Sequence, residues 1–171
     1  MVLGMSLQTF TLVHVLISLA GIASGLVVMY GFLTNKRLEG WTLVFLTTTA
    51  LTSLTGFLFP FKGMTPAIML GVISLPVLTV TFVTRYLLHL AWRKTYVITA
   101  CVAVYFNVFV LVVQSFEKIP GLKAIAPTQK EPPFAIAQIA VLVLFVTLTA
   151  LAVKKFHAEP LSTVASAAKA A

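Results

Sequence analysis

The sequence predicts an all-α, polytopic membrane protein whose five transmembrane helices form a single bundle. Only 9% of its 171 residues are charged, whereas a soluble domain of this size needs roughly a quarter to cover its surface. The mean hydropathy is +1.05, and the apolar residues fall into runs long enough to cross about 30 Å of hydrocarbon. Helix is the expected backbone, since an unpaired peptide group in lipid costs several kcal/mol. The predicted spans are residues 9–33, 41–59, 66–91, 96–116 and 133–153.

The connections between these spans predict the orientation of the chain. Basic residues occur as three pairs at alternate connections, namely Lys36–Arg37, Arg93–Lys94 and Lys154–Lys155. The other two connections hold Lys62 alone and a long loop, 117–132, in which glutamates offset the lysines. Because basic residues favour the cytoplasmic side, the N-terminus is predicted outside and the C-terminus in the cytoplasm. The transmembrane domain is then 1–157, followed by a disordered cytoplasmic tail, 158–171.

The net charge of +8 raises the possibility of a nucleic-acid partner, because clustered lysine and arginine neutralise phosphates. Here the cations are short pairs separated by long apolar runs, a pattern typical of membrane orientation. The predicted surroundings are therefore the lipid bilayer and no nucleic acid. The lone Cys101 supports neither a disulfide framework nor a thiolate metal site.

The first span carries a face suited to close helix packing. Gly21 and Gly25 form a small-xxx-small pair that lets another helix approach. His14 lies on the same face, so its ring is expected to meet protein rather than lipid. We interpret the two glycines as packing residues and His14 as a candidate binding residue.

The second and third spans carry the polar residues that most need partners. The second, with TTTALTSLTG in its middle, is the weakest of the five predictions, although threonine hydroxyls can bond back to their own helix. The third holds Arg85, close enough to its cytoplasmic end to snorkel to the headgroups. The alternative is an anion or headgroup site formed by Arg85, His89 and the adjacent basic pair.

The fourth and fifth spans add amides in the outer half of the membrane. Asn107 and Gln114 are seven residues apart and share one helix face, and Gln138 enters from the outer end of the last span. With His14, and Thr55 as a further candidate, they could form an outer polar cluster that binds a quinone or a lipid. Whether these faces meet is left open by the sequence.

The residue pattern does not support a cofactor site, a metal site or a catalytic site. His14 and His89 lie near opposite membrane boundaries, roughly 25 Å apart at 1.5 Å per residue, so they cannot share one haem iron. All four acids lie outside the spans, whereas coupled transporters usually need ionisable groups within them. No HExxH, GxSxG or phosphate-binding glycine loop is present. We therefore expect no cofactor, no metal and no enzymatic activity.

The loop 117–132 is the only sizeable piece predicted on the periplasmic side. Its prolines suggest a stiffened lid on the bundle, or alternatively a docking surface for a partner subunit. The stretch YFNVFVLVVQSFEKIPGLKAIAPTQKEPPF, together with GFLFPF after the second span, resembles a group of small multi-span bacterial membrane proteins described only as hypothetical. The resemblance implies a bacterial inner membrane and gives no residue a role.

Two functions are compatible with these observations. The first is a non-enzymatic accessory or scaffold component of a membrane complex, bound to a membrane-protein partner or to copies of itself. The second is a binder or carrier of a small molecule, either a quinone or lipid in the outer cluster or an anion near Arg85. A membrane enzyme would need a reactive constellation that the sequence lacks.

Overall fold

A computed structural model describes residues 4–60 and 66–157, together with Val2 and Gly63, and this part of the chain is helical without β-strands. A short π-helical segment, Val83–Leu87, continues the third helix. The α-helices are α1 (Leu7–Leu33), α2 (Glu39–Gly56), α3 (Pro66–Phe82), α4 (Arg93–Lys118), α5 (Pro120–Ile125) and α6 (Pro132–Lys155). The all-α prediction is confirmed. The predicted tail 158–171 and Lys62 lie outside the described residues.

Four segments of the described chain are long and apolar enough to cross a membrane: α1, Ile68–Leu87, α4 and α6. They match the first, third, fourth and fifth predicted spans. The second predicted span corresponds to α2, which begins at Glu39 and contains six threonines and one serine in its 18 residues. Because of these polar residues, α2 is less apolar than the other four segments. A fifth crossing, by α2, therefore stays a prediction.

Helix starts follow local sequence signals. The Ser6 hydroxyl caps α1 by accepting a hydrogen bond from the Thr9 N–H at 3.1 Å, as serine commonly does at this position. At α6, Pro132 and Pro133 occupy the first turn, where no backbone donor is required. Glu131, just before that turn, accepts hydrogen bonds from the Thr128 hydroxyl at 2.8 Å and from two backbone N–H groups. Desolvation raises the pKa of Glu131, but these hydrogen bonds outweigh it and hold the pKa below its usual value.

Helix α4 is the centre of the bundle. It packs against α1, α3 and α6, while α1 also contacts α2 and α6, and α2 contacts α3. Val97, Ala100 and Val104 form the buried face of α4. Gly25 of α1 lies against this face, because a Cβ added to it would come within 2.7 Å of Val104. Gly21 lies against α2 instead.

The long loop is partly helical and packs on the ends of two spans. The six-residue helix α5, which begins at Pro120, was not predicted from the sequence. After it, the Gln129 amide donates to the Val113 carbonyl at 3.0 Å. The Phe116 and Phe134 rings meet edge to face at 5.4 Å. These contacts attach the loop to α4 and α6; the choice between lid and docking surface stays open.

Candidate functional site

The basic residues converge at one end of the bundle, which we call the basic end. Phe32 at the end of α1 contacts both Tyr96 near the start of α4 and Phe156 after α6, so these termini lie together. Seven cations belong to this end, and Glu39 is its single carboxylate among the described residues. The cations are Lys36, Arg37, Arg85, Arg93, Lys94, Lys154 and Lys155.

Arg85 and Glu39 form the most buried ionic contact in the described chain. The Arg85 side chain is 3% exposed, and its Nη2 pairs with Glu39 Oε2. The guanidinium also lies 5.4 Å from the Tyr96 ring centre and 5.9 Å from that of Tyr86, which are cation–π distances. Glu39 stands in the first turn of α2, where the helix dipole favours a negative charge. Arg85 is therefore surrounded by protein on several sides.

Two further guanidinium groups belong to the same end of the bundle, and neither has an equivalent partner among the described residues. Arg37 Nε is 3.8 Å from the other carboxylate oxygen of Glu39, and Arg37 Nε and Nη2 are buried without a hydrogen bond. Arg93 Nη1 is buried in the same way. Arg93 lies one turn before Tyr96 on the same face of α4. We call Arg37, Arg85 and Arg93 the guanidinium cluster; it holds three positive charges against one carboxylate.

The backbone after Arg85 is unusual. The π-helical segment closes with a hydrogen bond from the Leu88 N–H to the Val83 carbonyl at 2.8 Å. His89 and Leu90 then adopt positive φ angles of 45° and 64°, conformations that cost residues other than glycine about 1–3 kcal/mol each. π-Helical turns and such strained residues are enriched at functional sites. The wider turn brings both Thr84 and Arg85 into the protein interior.

Two expectations for this region change in the structure. The Arg85 side chain does not extend outward along the surface of the bundle, because Glu39 and two tyrosine rings hold it inside. His89 does not join it. The π-helical turn ends the regular periodicity four residues earlier than the predicted boundary of the third span, so His89 falls on an exposed turn.

The polar residues predicted for the outer half of the membrane make separate contacts. His14 Nδ1 lies 2.8 Å from the Thr55 hydroxyl, which itself donates to the Leu51 carbonyl. The His14 ring also meets Phe59 edge to face at 5.1 Å. The hydrogen bond between His14 and Thr55 joins α1 to the C-terminal end of α2. Thr55 was predicted from the sequence as a further candidate for the polar cluster with His14.

The amides make their own inter-helix contacts. Asn107 donates to Thr49 at 3.1 Å, which joins α4 to α2, and Gln138 donates to the Phe109 carbonyl at 3.3 Å, which joins α6 to α4. The Gln114 side chain takes part in neither of these two inter-helix hydrogen bonds. In the described part of the chain, no hydrogen bond links these contacts to one another or to His14. A common outer binding site therefore stays a prediction, and each polar contact observed joins one helix to another.

In comparisons with known proteins, no family model, no curated protein and no solved structure matches this chain. Among the described residues, no group of three histidine, cysteine, aspartate or glutamate side chains is placed to hold a metal ion.

Sequence reasoning identified Arg85 but missed Glu39 and Arg37 as its neighbours. Glu39 precedes Arg85 by 46 residues in the chain, and a single sequence does not reveal contacts at that range. One signal was present: Glu39 is the only acid beside any of the three basic pairs. An isolated carboxylate at a basic membrane boundary indicates a specific cation partner.

Proposed function

We propose that the protein is a five-span bacterial inner-membrane protein that binds an anionic lipid headgroup at its basic end. In this topology α2 crosses the membrane between α1 and α3, with the chain start outside and the end of α6 in the cytoplasm. The threonines of α2 support a crossing, because Thr42, Thr48 and Thr55 each donate to a carbonyl of the preceding turn. Their hydroxyls are thereby satisfied without water.

The single observation that carries the binding proposal is the charge imbalance of the guanidinium cluster. Buried charges are normally paired, and a guanidinium offers five donors that cannot be removed by deprotonation. Among the residues that the structure describes, Glu39 neutralises one of three such groups. A second anion placed among Arg37, Arg85 and Arg93 would accept hydrogen bonds from the donors that are now unused.

A phosphate group fits this arrangement better than a carboxylate. It offers several acceptor oxygens, and arginine forks match phosphate geometry. The cluster lies at the end of the spans, where lipid headgroups are found, and on the proposed topology it faces the cytoplasmic leaflet, which basic residues favour. A phospholipid is thus the expected source of the phosphate, and free inorganic phosphate is the alternative source.

The role we propose is non-enzymatic. A protein that holds an anionic lipid without reactive groups of its own suits an accessory or scaffold component of a membrane complex. The exposed apolar surface of α6, on which Ile136, Ile139 and Val143 are each about 60% exposed, is where a partner helix would have room to pack. Purification in a mild detergent tests this wider setting, since a stoichiometric second protein is expected to remain bound.

The test of the lipid site is a thermal-shift titration in detergent with phosphatidylglycerol, phosphatidylcholine and inorganic phosphate. Phosphatidylglycerol should stabilise the protein in a saturable manner, as a ligand of the folded state does. Arg37→Gln and Arg93→Gln should each weaken its binding about tenfold or more, because a charge-assisted hydrogen bond is worth about 1.5–3 kcal/mol and each 1.4 kcal/mol is tenfold.

Adjacent lysines provide matched controls that remove the same charge. Lys36→Gln and Lys94→Gln replace exposed cations next to the two arginines and should change the affinity less than threefold, as solvent screening weakens exposed charges. Equal losses for the arginine and lysine variants would contradict a structured site. A response to inorganic phosphate equal to that for phosphatidylglycerol would identify a soluble anion as the ligand.

A further inference from the structure

A second candidate site is an open groove between α4 and α6 with a volume of about 690 Å³. Its walls are apolar: Ile98, Cys101 and Tyr105 line the α4 side, and Phe145 and Ala150 line the α6 side. This volume falls within the range of roughly 300–1,000 Å³ that is typical of small-molecule pockets. Arg37, Arg85 and Arg93 are not among the residues that line it. The groove is therefore separate from the guanidinium cluster.

The length of the groove corresponds to one leaflet. Its lining residues extend from Ile98 to Phe106 on α4 and from Leu142 to Lys154 on α6, which at 1.5 Å per residue is roughly 12–18 Å. Half of a hydrocarbon core of about 30 Å is about 15 Å. The groove thus runs from the basic end to the middle of the membrane.

The second feature of the groove is the positive charge at the end that lies near the basic end of the bundle. Lys154 is the one charged residue that lines the groove, and it is exposed at the end of α6 together with Lys155. An apolar channel of leaflet length with a cation at the headgroup level is complementary to an amphiphile with a hydrocarbon chain and an anionic head.

We infer that this groove binds one acyl chain of an anionic phospholipid from the leaflet at the basic end. The chain lies along Ile98, Cys101 and Phe145, and the Lys154 ammonium contacts the headgroup phosphate. The site is held by α4 and α6 alone, so it does not depend on the guanidinium cluster and can be tested independently of it.

The experiment uses the full-length protein in phosphatidylcholine nanodiscs that contain a trace of phosphatidylglycerol with a photoreactive diazirine in one acyl chain. After irradiation, mass spectrometry maps the cross-linked residues. We expect the label to concentrate on the groove walls. A phosphatidylcholine probe with the same acyl chain should label these walls at least threefold less, because its head lacks a net negative charge.

Substitutions on α6 make the assignment specific. Ala150→Trp places a large ring in the groove and should reduce labelling at least fivefold. Leu151→Trp, which adds a ring at the same depth about 100° around the helix, should leave it within twofold. Lys154→Gln should remove the preference for the anionic probe, whereas Lys155→Gln should preserve it.

The possible outcomes separate the proposals. Labelling spread evenly over the lipid-facing helices, or labelling that Ala150→Trp does not reduce, would show ordinary boundary lipid and overturn the inference. If Ala150→Trp unfolds the protein, Lys154→Gln and the comparison of the two probes still decide the matter. If the groove of the unsubstituted protein is not labelled while phosphatidylglycerol still binds at Arg37 and Arg93, this inference alone is overturned.

Discussion

Glu39→Gln is expected to destabilise the folded protein by about 2–3 kcal/mol when no anionic lipid is present. Removing one partner of a buried ion pair costs about 3–5 kcal/mol because the other charge is left uncompensated, and we lower this value because Glu39 itself is 56% exposed. Arg85, at 3% exposure, would be left without a carboxylate inside the bundle. Thermal unfolding in a zwitterionic detergent should show a decrease in melting temperature of about 5–10 °C.

A double-mutant cycle provides the control. Arg85→Met removes the charge and keeps an apolar side chain of comparable length, and replacing both members of a buried pair by neutral groups is often close to neutral. The variant with both Glu39→Gln and Arg85→Met should therefore be more stable than Glu39→Gln alone. Additive losses in the double variant would show that the two residues are not coupled. Phosphatidylglycerol should restore part of the stability of Glu39→Gln, since its phosphate can take the place of the carboxylate.

Gly25→Leu is expected to cost at least about 3 kcal/mol, because overpacking a close contact costs about 1–3 kcal/mol and sometimes more. Even the first added carbon would lie 2.7 Å from Val104 and 3.0 Å from the Phe45 ring. Both of those residues are fully buried, so neither can move without disturbing α2 or α4. A lower melting temperature and loss of the monodisperse peak in gel filtration would report this result.

Two other glycines calibrate this prediction. Gly21→Leu should also destabilise the protein, but by less, since an added Cβ would lie 3.2–3.3 Å from two threonine hydroxyls. Gly40→Ala in the first turn of α2 meets nothing within 4 Å and should be neutral or slightly stabilising, as alanine favours helix over glycine. A Gly25→Leu variant as stable as Gly40→Ala would show that α1 does not pack closely on α2 and α4.

The helical class and the position of each long helix could be predicted because they depend on composition and run length, which are local properties. Boundaries were less certain where local chemistry changes the backbone. The third span was predicted to reach residue 91, but a π-helical turn ends it at Leu87. Nothing in its residue types distinguishes a π-helical turn from an α-helical one.

The candidate site was only partly predictable for a different reason. Arg85 stood out because a charge within an apolar run is costly, and this cost is visible in the sequence. Its partner could not be identified, because the pairing of Arg85 with Glu39 depends on how α2 and α3 are packed. The outer residues show the same limit. The sequence predicts a similar membrane depth for His14, Asn107 and Gln138. In the structure, each of these side chains forms a hydrogen bond with a different residue of a neighbouring helix.

The crossing of α2 determines whether Arg37, Arg85 and Arg93 lie on the same side of the membrane. It can be measured by labelling single cysteines with a membrane-impermeant maleimide in intact bacterial cells. A Cys101→Ser background removes the one native thiol, which is buried. The positions Lys36→Cys, Lys94→Cys and Lys123→Cys are all exposed. We expect Lys123→Cys to react in intact cells, and Lys36→Cys and Lys94→Cys to react only after permeabilisation. Labelling of Lys94→Cys in intact cells, with Lys36→Cys still protected, would show that α2 does not cross and would contradict a single cytoplasmic site built from Arg37, Arg85 and Arg93.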